Sequence, residues 1–126
     1  MDEKKENIIP AIRLMRDSEG ESFFETGKVR THVKIKSNEF WFANEIDSWQ
    51  VGTHLAPRKQ FVITLSGKLR FTTSDDLSFI IEPGIVLLAE DIDGEGHTWE
   101  MIEGHENWHR IYIPIVDESA SSFIKD

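Results

Sequence analysis

Hydrophobic residues recur along the chain in short runs and not at helical spacing. The runs are rich in Val, Ile, Phe, Trp and Thr, and Gly, Asn, Asp and Pro separate them. This pattern is typical of β-strands joined by turns. It predicts an all-β chain with strands over residues 12–15, 22–25, 29–36, 40–44, 49–54, 60–66, 69–73, 77–81, 85–89, 97–102 and 108–114.

Three short segments between these runs predict turns. Ser66-Gly67 and residues 74–76 each separate two strand-like runs, and we predict a hairpin turn at both places. Pro83-Gly84 follows another run, and this pair in the middle of a turn is typical of a type II bend.

The predicted strand 60–66 has two different faces, because alternate side chains of a strand point to opposite sides. One face carries Gln60, Val62, Thr64 and Ser66, and the other carries Phe61, Ile63 and Leu65. The first face is polar enough to line a cavity. The second is wholly apolar and must be covered by another layer or a second subunit, so we expect either a sandwich packed on both faces or a homodimer.

Length and cysteine content limit the organisation of the chain. Its 126 residues correspond to about one domain. There is no Cys, which excludes disulfides, thiolate zinc sites, iron–sulfur clusters and cysteine nucleophiles. We expect a flexible arm over residues 1–8 and one β-domain over 9–116. The tail, 117–126, is expected to lie outside this domain unless Phe123 and Ile124 dock on it.

Charge and hydropathy exclude two classes of partner. The chain has 14 Lys and Arg against 23 Asp and Glu, a net charge of −9, which argues against binding to nucleic acid. Its apolar runs are far shorter than the ~20 residues that cross a bilayer, so we expect no membrane partner. The charged N-terminus lacks the apolar core of a secretory signal, and a cytoplasmic location is the default expectation.

Two segments within residues 49–99 resemble the sequence motifs of the cupin family, and in particular its small single-domain bacterial members. In the first, His54 and Gly67 stand at the positions of the motif's first His and closing Gly. Ala56 and Gln60 stand where the family has its second His and its Glu. In the second segment, Pro83-Gly84 is followed by His97, with two residues inserted in the loop between them.

The resemblance implies a double-stranded β-helix, the cupin or jelly-roll barrel, which is often dimeric and holds a ligand inside. In metal-dependent cupins the motif residues bind a divalent ion, which here would be Fe, Mn, Ni or Zn. The corresponding ligands would be His54, Gln60 and His97. This set carries no negative charge, so it would hold an ion more weakly than the family's own set or would bind none.

Six residues are the candidate ligand-binding set: His54, Arg58, Gln60, Thr64, His97 and Trp99. Arg58 would either meet an anionic group or lie in solvent, and Trp99 would either flank the site or pack in the core. The acidic stretch 90–106 fits a solvated loop better than a calcium loop.

Two functions remain open for a barrel that binds a small organic molecule. One is a metal-dependent enzyme of the dioxygenase or isomerase type, in which the ion polarises the ligand. The other is a metal-free binding or sensor protein, in which the histidines act as hydrogen-bond partners. A fold alone does not choose between these functions.

Overall fold

Ten β-strands form the regular structure of the residues that the computed structural model describes, which are 7–46, 52–116 and 121–126. In chain order they are β1 Ile8–Arg16, β2 Ser22–Arg30, β3 Trp41–Ala43, β4 Gln60–Ser66, β5 Leu69–Thr73, β6 Ser78–Ile81, β7 Val86–Ala89, β8 His97–Met101, β9 His109–Pro114 and β10 Phe123–Lys125. These described ranges contain no helix, so the all-β prediction is confirmed.

The strands form two sheets. The larger has seven strands in the order β10-β2-β1-β7-β4-β9-β3, and the smaller has three in the order β6-β5-β8. Only β1 and β7 pair in parallel among the strand pairs of the described chain. Over the described residues each sheet ends in two edge strands and the sheets do not close into a barrel. The arrangement is consistent with a β-sandwich, and the cupin or jelly-roll barrel stays a prediction.

One hydrophobic cluster fills the space between the sheets. Its buried members are Ile12, Leu14, Val62, Leu69, Phe71, Phe79, Ile81, Leu87, Trp108 and Tyr112. Strands β1, β4, β7 and β9 of the larger sheet contribute to this cluster together with β5 and β6 of the smaller sheet. The shared cluster is what packs the two sheets face to face.

The opposite face of the larger sheet carries a second cluster. Its buried members are Ala11, Val29, Phe61, Leu88 and Ile115. Phe61 lies in this cluster while Val62 lies between the sheets, so alternate side chains of β4 point to opposite sides and both sides are covered, as predicted. The chain itself supplies part of the cover through Ile35 and Phe123, although Leu65 remains 50% exposed. The homodimer stays a prediction.

Several strand boundaries differ from those predicted. Residues 22–25 and 29–36 are not two strands, because one strand, β2, runs through to Arg30 and ends two residues before His32, whose φ is 65°. Predicted strand 49–54 lies outside the described residues up to residue 51, and its end, His54, makes an isolated bridge.

The predicted terminal segments also take part in the larger sheet. β1 begins at Ile8, inside the expected arm, and β10 lies inside the expected tail, where Phe123–Lys125 pair antiparallel with β2. The docking considered for Phe123 and Ile124 thus occurs by backbone pairing at the sheet edge. Single apolar residues at chain ends carry too little periodicity to predict such a strand.

Two of the three predicted turns are confirmed. The segment 74–76 joins β5 to β6 in a hairpin, with a 2.9 Å bond from Thr73 N to Leu77 O, and Gly84 has a φ of 99° in the turn before β7. The hairpin predicted at Ser66-Gly67 is wrong, because β4 and β5 belong to different sheets. Gly67 has a φ of 111°, and a Cβ there would lie 2.5 Å from the carbonyl oxygen of Asn107. The glycine therefore lets the chain cross between sheets.

Candidate functional site

Two backbone hydrogen bonds hold the segment of His54 against β8. His54 N donates to His97 O at 2.9 Å, and His97 N donates to His54 O at 2.8 Å. The two imidazole rings meet edge to face, with centroids 4.5 Å apart. Gly96, with a φ of 78°, allows this approach, since a Cβ there would lie 2.4 Å from His54 O. The bridge brings together the two histidines of the motifs.

A small cavity lies beside this bridge. Four of the candidate residues line it: His54, Gln60, His97 and Trp99. The rest of its wall consists of Ala56, Pro57, Val62, Phe71, Leu87, Ala89, Trp108 and Tyr112. Its volume is about 30 Å³, which is room for a few water-sized groups. The cavity thus combines few polar groups with a largely apolar and aromatic wall, as is usual for small-molecule sites.

His97 is oriented by Asp91, a residue that the sequence analysis does not single out. Both are buried, with side-chain exposures of 5% and 0%, and Nδ1 of His97 is hydrogen-bonded to Oδ2 of Asp91. An ionised carboxylate only accepts hydrogen bonds, so Nδ1 carries the proton and Nε2 is the ring nitrogen left to meet a ligand. The backbone of Asp91 is fixed as well, because its carbonyl accepts from Ala56 N at 3.1 Å.

The solvated-loop interpretation of residues 90–106 is wrong at its first two residues and also over residues 97–101, which form β8. Asp91 is fully buried, and the side chain of Glu90 is only 12% exposed. Glu90 pairs with Arg13 Nε at 2.7 Å and with Lys59 Nζ at 3.0 Å. Both carboxylates follow Ala89 at the end of β7, a buried strand, and this position was the available signal. The many acidic residues of the stretch suggested instead that all of it is exposed to solvent.

The ring of His54 is held by a nearby carbonyl. Its Nδ1 lies 2.9 Å from Gly52 O, and a carbonyl only accepts, so Nδ1–H is the donor. Burial lowers the pKa of His54, and the neighbouring His97 lowers it further, while the bond to Gly52 and the charge of Asp91 raise it. The net direction is downward, which favours the neutral imidazole protonated at Nδ1.

Arg58 orients Gln60 from outside the cavity. Nη1 of Arg58 donates to Oε1 of Gln60 at 3.0 Å, and its guanidinium lies over the ring of Trp41, 5.1 Å from the centroid. Gln60 itself is only 2% exposed. Because the amide oxygen accepts from Arg58, the NH₂ group is the end of Gln60 left to meet a ligand. Arg58 does not line the cavity, although it was expected among the ligand-binding residues.

Thr64 and Trp99 have different surroundings. Thr64 is 5% exposed, does not line the cavity, and accepts a hydrogen bond from Nε1 of Trp108 at 3.0 Å. Trp99 lines the cavity and also packs edge to face on Trp108, with centroids 5.0 Å apart. Thr64 therefore supports the aromatic wall from behind, whereas both interpretations of Trp99 apply at once.

The donor set does not suit a divalent ion such as Fe, Mn, Ni or Zn. The oxygen of Gln60, the atom of that side chain that would bind a metal, faces a guanidinium cation instead. The described residues contain no group of three His, Cys, Asp or Glu side chains arranged to hold a metal. Two imidazoles beside a positive charge give neither the ligand number nor the negative charge that a stable site requires.

Comparisons with known proteins give no relative. No protein-family model matches the sequence, and neither a curated protein nor a solved structure matches the chain. The described residues also contain no helix with the length and apolar character needed to cross a membrane. The cupin resemblance thus depends on the motif residues alone and stays a prediction.

Proposed function

We propose that this chain is a cupin-type protein that binds a compact, uncharged organic molecule without a metal, between its two sheets. The observation that carries this proposal is the convergence of His54, Gln60 and His97 on one small cavity. His54 precedes β4, Gln60 begins β4 and His97 begins β8, so two distant segments of the sequence meet here. Their common position in an otherwise apolar wall is typical of a binding site.

The orientation of the polar groups supports binding over a purely structural role. Gln60 and His97 each use one end of the side chain on a partner outside the cavity, Arg58 and Asp91 respectively. Both residues line the cavity, so the other polar end of each is left for a ligand. A ligand that meets both ends gains hydrogen bonds in surroundings of low polarity, where an unmet polar group is costly.

A metal-dependent enzyme is the second candidate, and one observation favours it. Histidines that bind metals usually donate their other ring nitrogen to a carboxylate, which is the relation of His97 to Asp91. The contact between Arg58 and the oxygen of Gln60 opposes it, because it places a cation at the third ligand position. For this reason we favour the metal-free function.

Solution NMR with small probes tests the proposal. Acetamide, acetone and 2-propanol are titrated into ¹⁵N-labelled protein, and we expect at least one to shift the signals of the cavity residues saturably. Gln60→Met removes the amide but keeps the size of the side chain, and it should weaken binding by about tenfold. Arg70→Gln is the matched control, since Arg70 lies on β5 and forms an exposed ion pair with Glu100.

Three results would contradict the proposal. The first is that no probe shifts the cavity signals, and the second is that Gln60→Met binds every probe as well as the parent chain. The third is stoichiometric binding of Fe, Mn, Ni or Zn that Gln60→Glu tightens, which would favour the metal-dependent enzyme.

A further inference from the structure

Only one of the two oxygens of the buried Asp91 carboxylate has a hydrogen-bond partner among the described residues. Its Oδ2 binds His97, but its Oδ1 is buried and has no hydrogen-bond partner among the residues that the structure describes. A buried polar atom without a partner destabilises the fold, and such atoms often mark functional positions. An apolar residue at this position would remove that cost but would also leave Nδ1 of His97 without its acceptor.

We infer that Asp91 is a positioning residue that fixes His97 as the Nδ1–H tautomer, so that the cavity selects ligands with an amide-like edge. Such an edge carries an N–H or O–H group beside a carbonyl oxygen. This inference rests on the proposed function and adds the chemical class of the ligand. Nε2 of His97 would accept from the donor of the ligand, and the NH₂ of Gln60 would donate to its carbonyl.

The two halves of this selection have the same construction. Asp91 fixes which nitrogen of His97 accepts, and Arg58 fixes which end of Gln60 donates. Both residues line the same small cavity, of about 30 Å³. With both groups locked, a ligand that offers only an acceptor leaves His97 unmet, and one that offers only a donor leaves Gln60 unmet. Sites of this kind discriminate strongly against analogues that lack one partner.

The same geometry disfavours a carboxylate ligand. A carboxylate has no donor for Nε2 of His97, and it would place negative charge near the lone pair of that nitrogen. The bond from His54 Nδ1 to Gly52 O also makes Nε2 an acceptor in the neutral ring of His54. The guanidinium of Arg58, which would otherwise attract an anion, faces Gln60 and Trp41. A neutral amide meets these groups better than an acid anion does.

The first test uses the unaltered protein and needs no ligand. Long-range ¹H–¹⁵N NMR of the histidine rings at pH 8 distinguishes a protonated from an unprotonated ring nitrogen. We expect His97 to be protonated at Nδ1 and unprotonated at Nε2. A neutral His97 that carries its proton at Nε2, or that exchanges between both tautomers, would overturn the inference whatever the cavity binds.

The second test compares two probes of equal size. Acetamide and acetone have the same number of heavy atoms and the same carbonyl, but only acetamide has the N–H donor. We expect acetamide to bind at least tenfold more tightly, as judged by shifts of the cavity signals. In Asp91→Asn this preference should fall to less than threefold, together with loss of the fixed tautomer. Asp93→Asn is the control, since Asp93 pairs with Arg16 at the surface and its side chain is 61% exposed.

The outcomes separate this inference from the proposed function. Equal binding of acetone and acetamide in the cavity overturns the ligand class and leaves small-molecule binding intact. Binding of neither probe overturns both. An unchanged preference in folded Asp91→Asn removes the role of Asp91. If Asp91→Asn does not fold, the tautomer and the probe ratio of the parent chain still decide.

Discussion

The hydrogen bond between Trp108 and Thr64 makes the aromatic wall of the cavity depend on one hydroxyl group. Nε1 of Trp108 donates to Oγ1 of Thr64 at 3.0 Å, and both residues are nearly inaccessible, with exposures of 3% and 5%. Thr64→Val replaces the hydroxyl with a methyl group of similar shape. The indole N–H then lies in the core without an acceptor, while the packing around position 64 changes little.

The expected loss follows from two opposing contributions. An unpaired buried donor costs about 1–3 kcal/mol. The additional buried methyl group returns up to about 0.8 kcal/mol. We therefore expect Thr64→Val to lower the free energy of unfolding by about 1–2 kcal/mol, which corresponds to a fall in Tm of roughly 3–12 °C for a chain of this length.

Chemical denaturation of a double-mutant cycle measures this hydrogen bond directly. Trp108→Phe keeps an aromatic ring but removes the N–H, so Thr64→Val should cost little in that background, with a coupling of about 1 kcal/mol or more. Thr72→Val is the matched control, because Thr72 is half-buried on β5 and should change stability by less than about 0.5 kcal/mol. A coupling near zero, or equal losses from Thr64→Val and Thr72→Val, would refute the reasoning.

Three further predictions concern other parts of the structure. Burial lowers the pKa of His54 in the folded chain, so below a pH of about 6.5 the unfolded chain binds a proton at this residue before the folded chain does, and stability is lost. Denaturation measured from pH 8 to 5 should therefore show a smaller loss of stability in His54→Gln than in the parent. Gly96→Ala places a Cβ 2.4 Å from His54 O and should cost at least about 1 kcal/mol more than Gly84→Ala, where φ is also positive but the space is open; equal Tm values would contradict this. Phe71→Ala should destabilise by about 3–5 kcal/mol in urea denaturation, against about 0.5 kcal/mol or less for Phe42→Ala, which is 68% exposed.

Much of the fold could be predicted because burial leaves a period of two in the sequence. Strand β4 was predicted with its observed ends, and so was β5. The sheet to which each strand belongs could not be predicted, since Gly67 supplies a positive φ equally well to a hairpin and to a crossing between sheets. The sequence pattern predicts a turn at Gly67, but it does not predict which strands pair with the two strands that the turn connects.

The candidate site was predictable where a motif specified it and not where tertiary contacts did. His54, Gln60 and His97 were expected at one cavity, and all three line it. Thr64 shares the face of Gln60, but the alternation of a strand does not tell that the indole of Trp108 covers its hydroxyl. Asp91 could not be predicted, because the sequence gives no measure of burial for a single acid within an acidic stretch. Only the packing around the end of β7 identifies it.

The candidate site also covers part of one edge of the smaller sheet. β8 is an edge strand of that sheet, and the bridge to His54 supplies backbone partners for His97 that the sheet itself does not. A substitution that disturbs this bridge will therefore change stability and binding together, because an uncovered strand edge has unmet backbone groups. Gln60 lies on β4 between β7 and β9, where backbone pairing does not depend on its side chain. A loss of binding without a loss of stability is consequently expected for Gln60→Met and not for Gly96→Ala, and a variant that reverses this order would show that the bridge is dispensable for the fold.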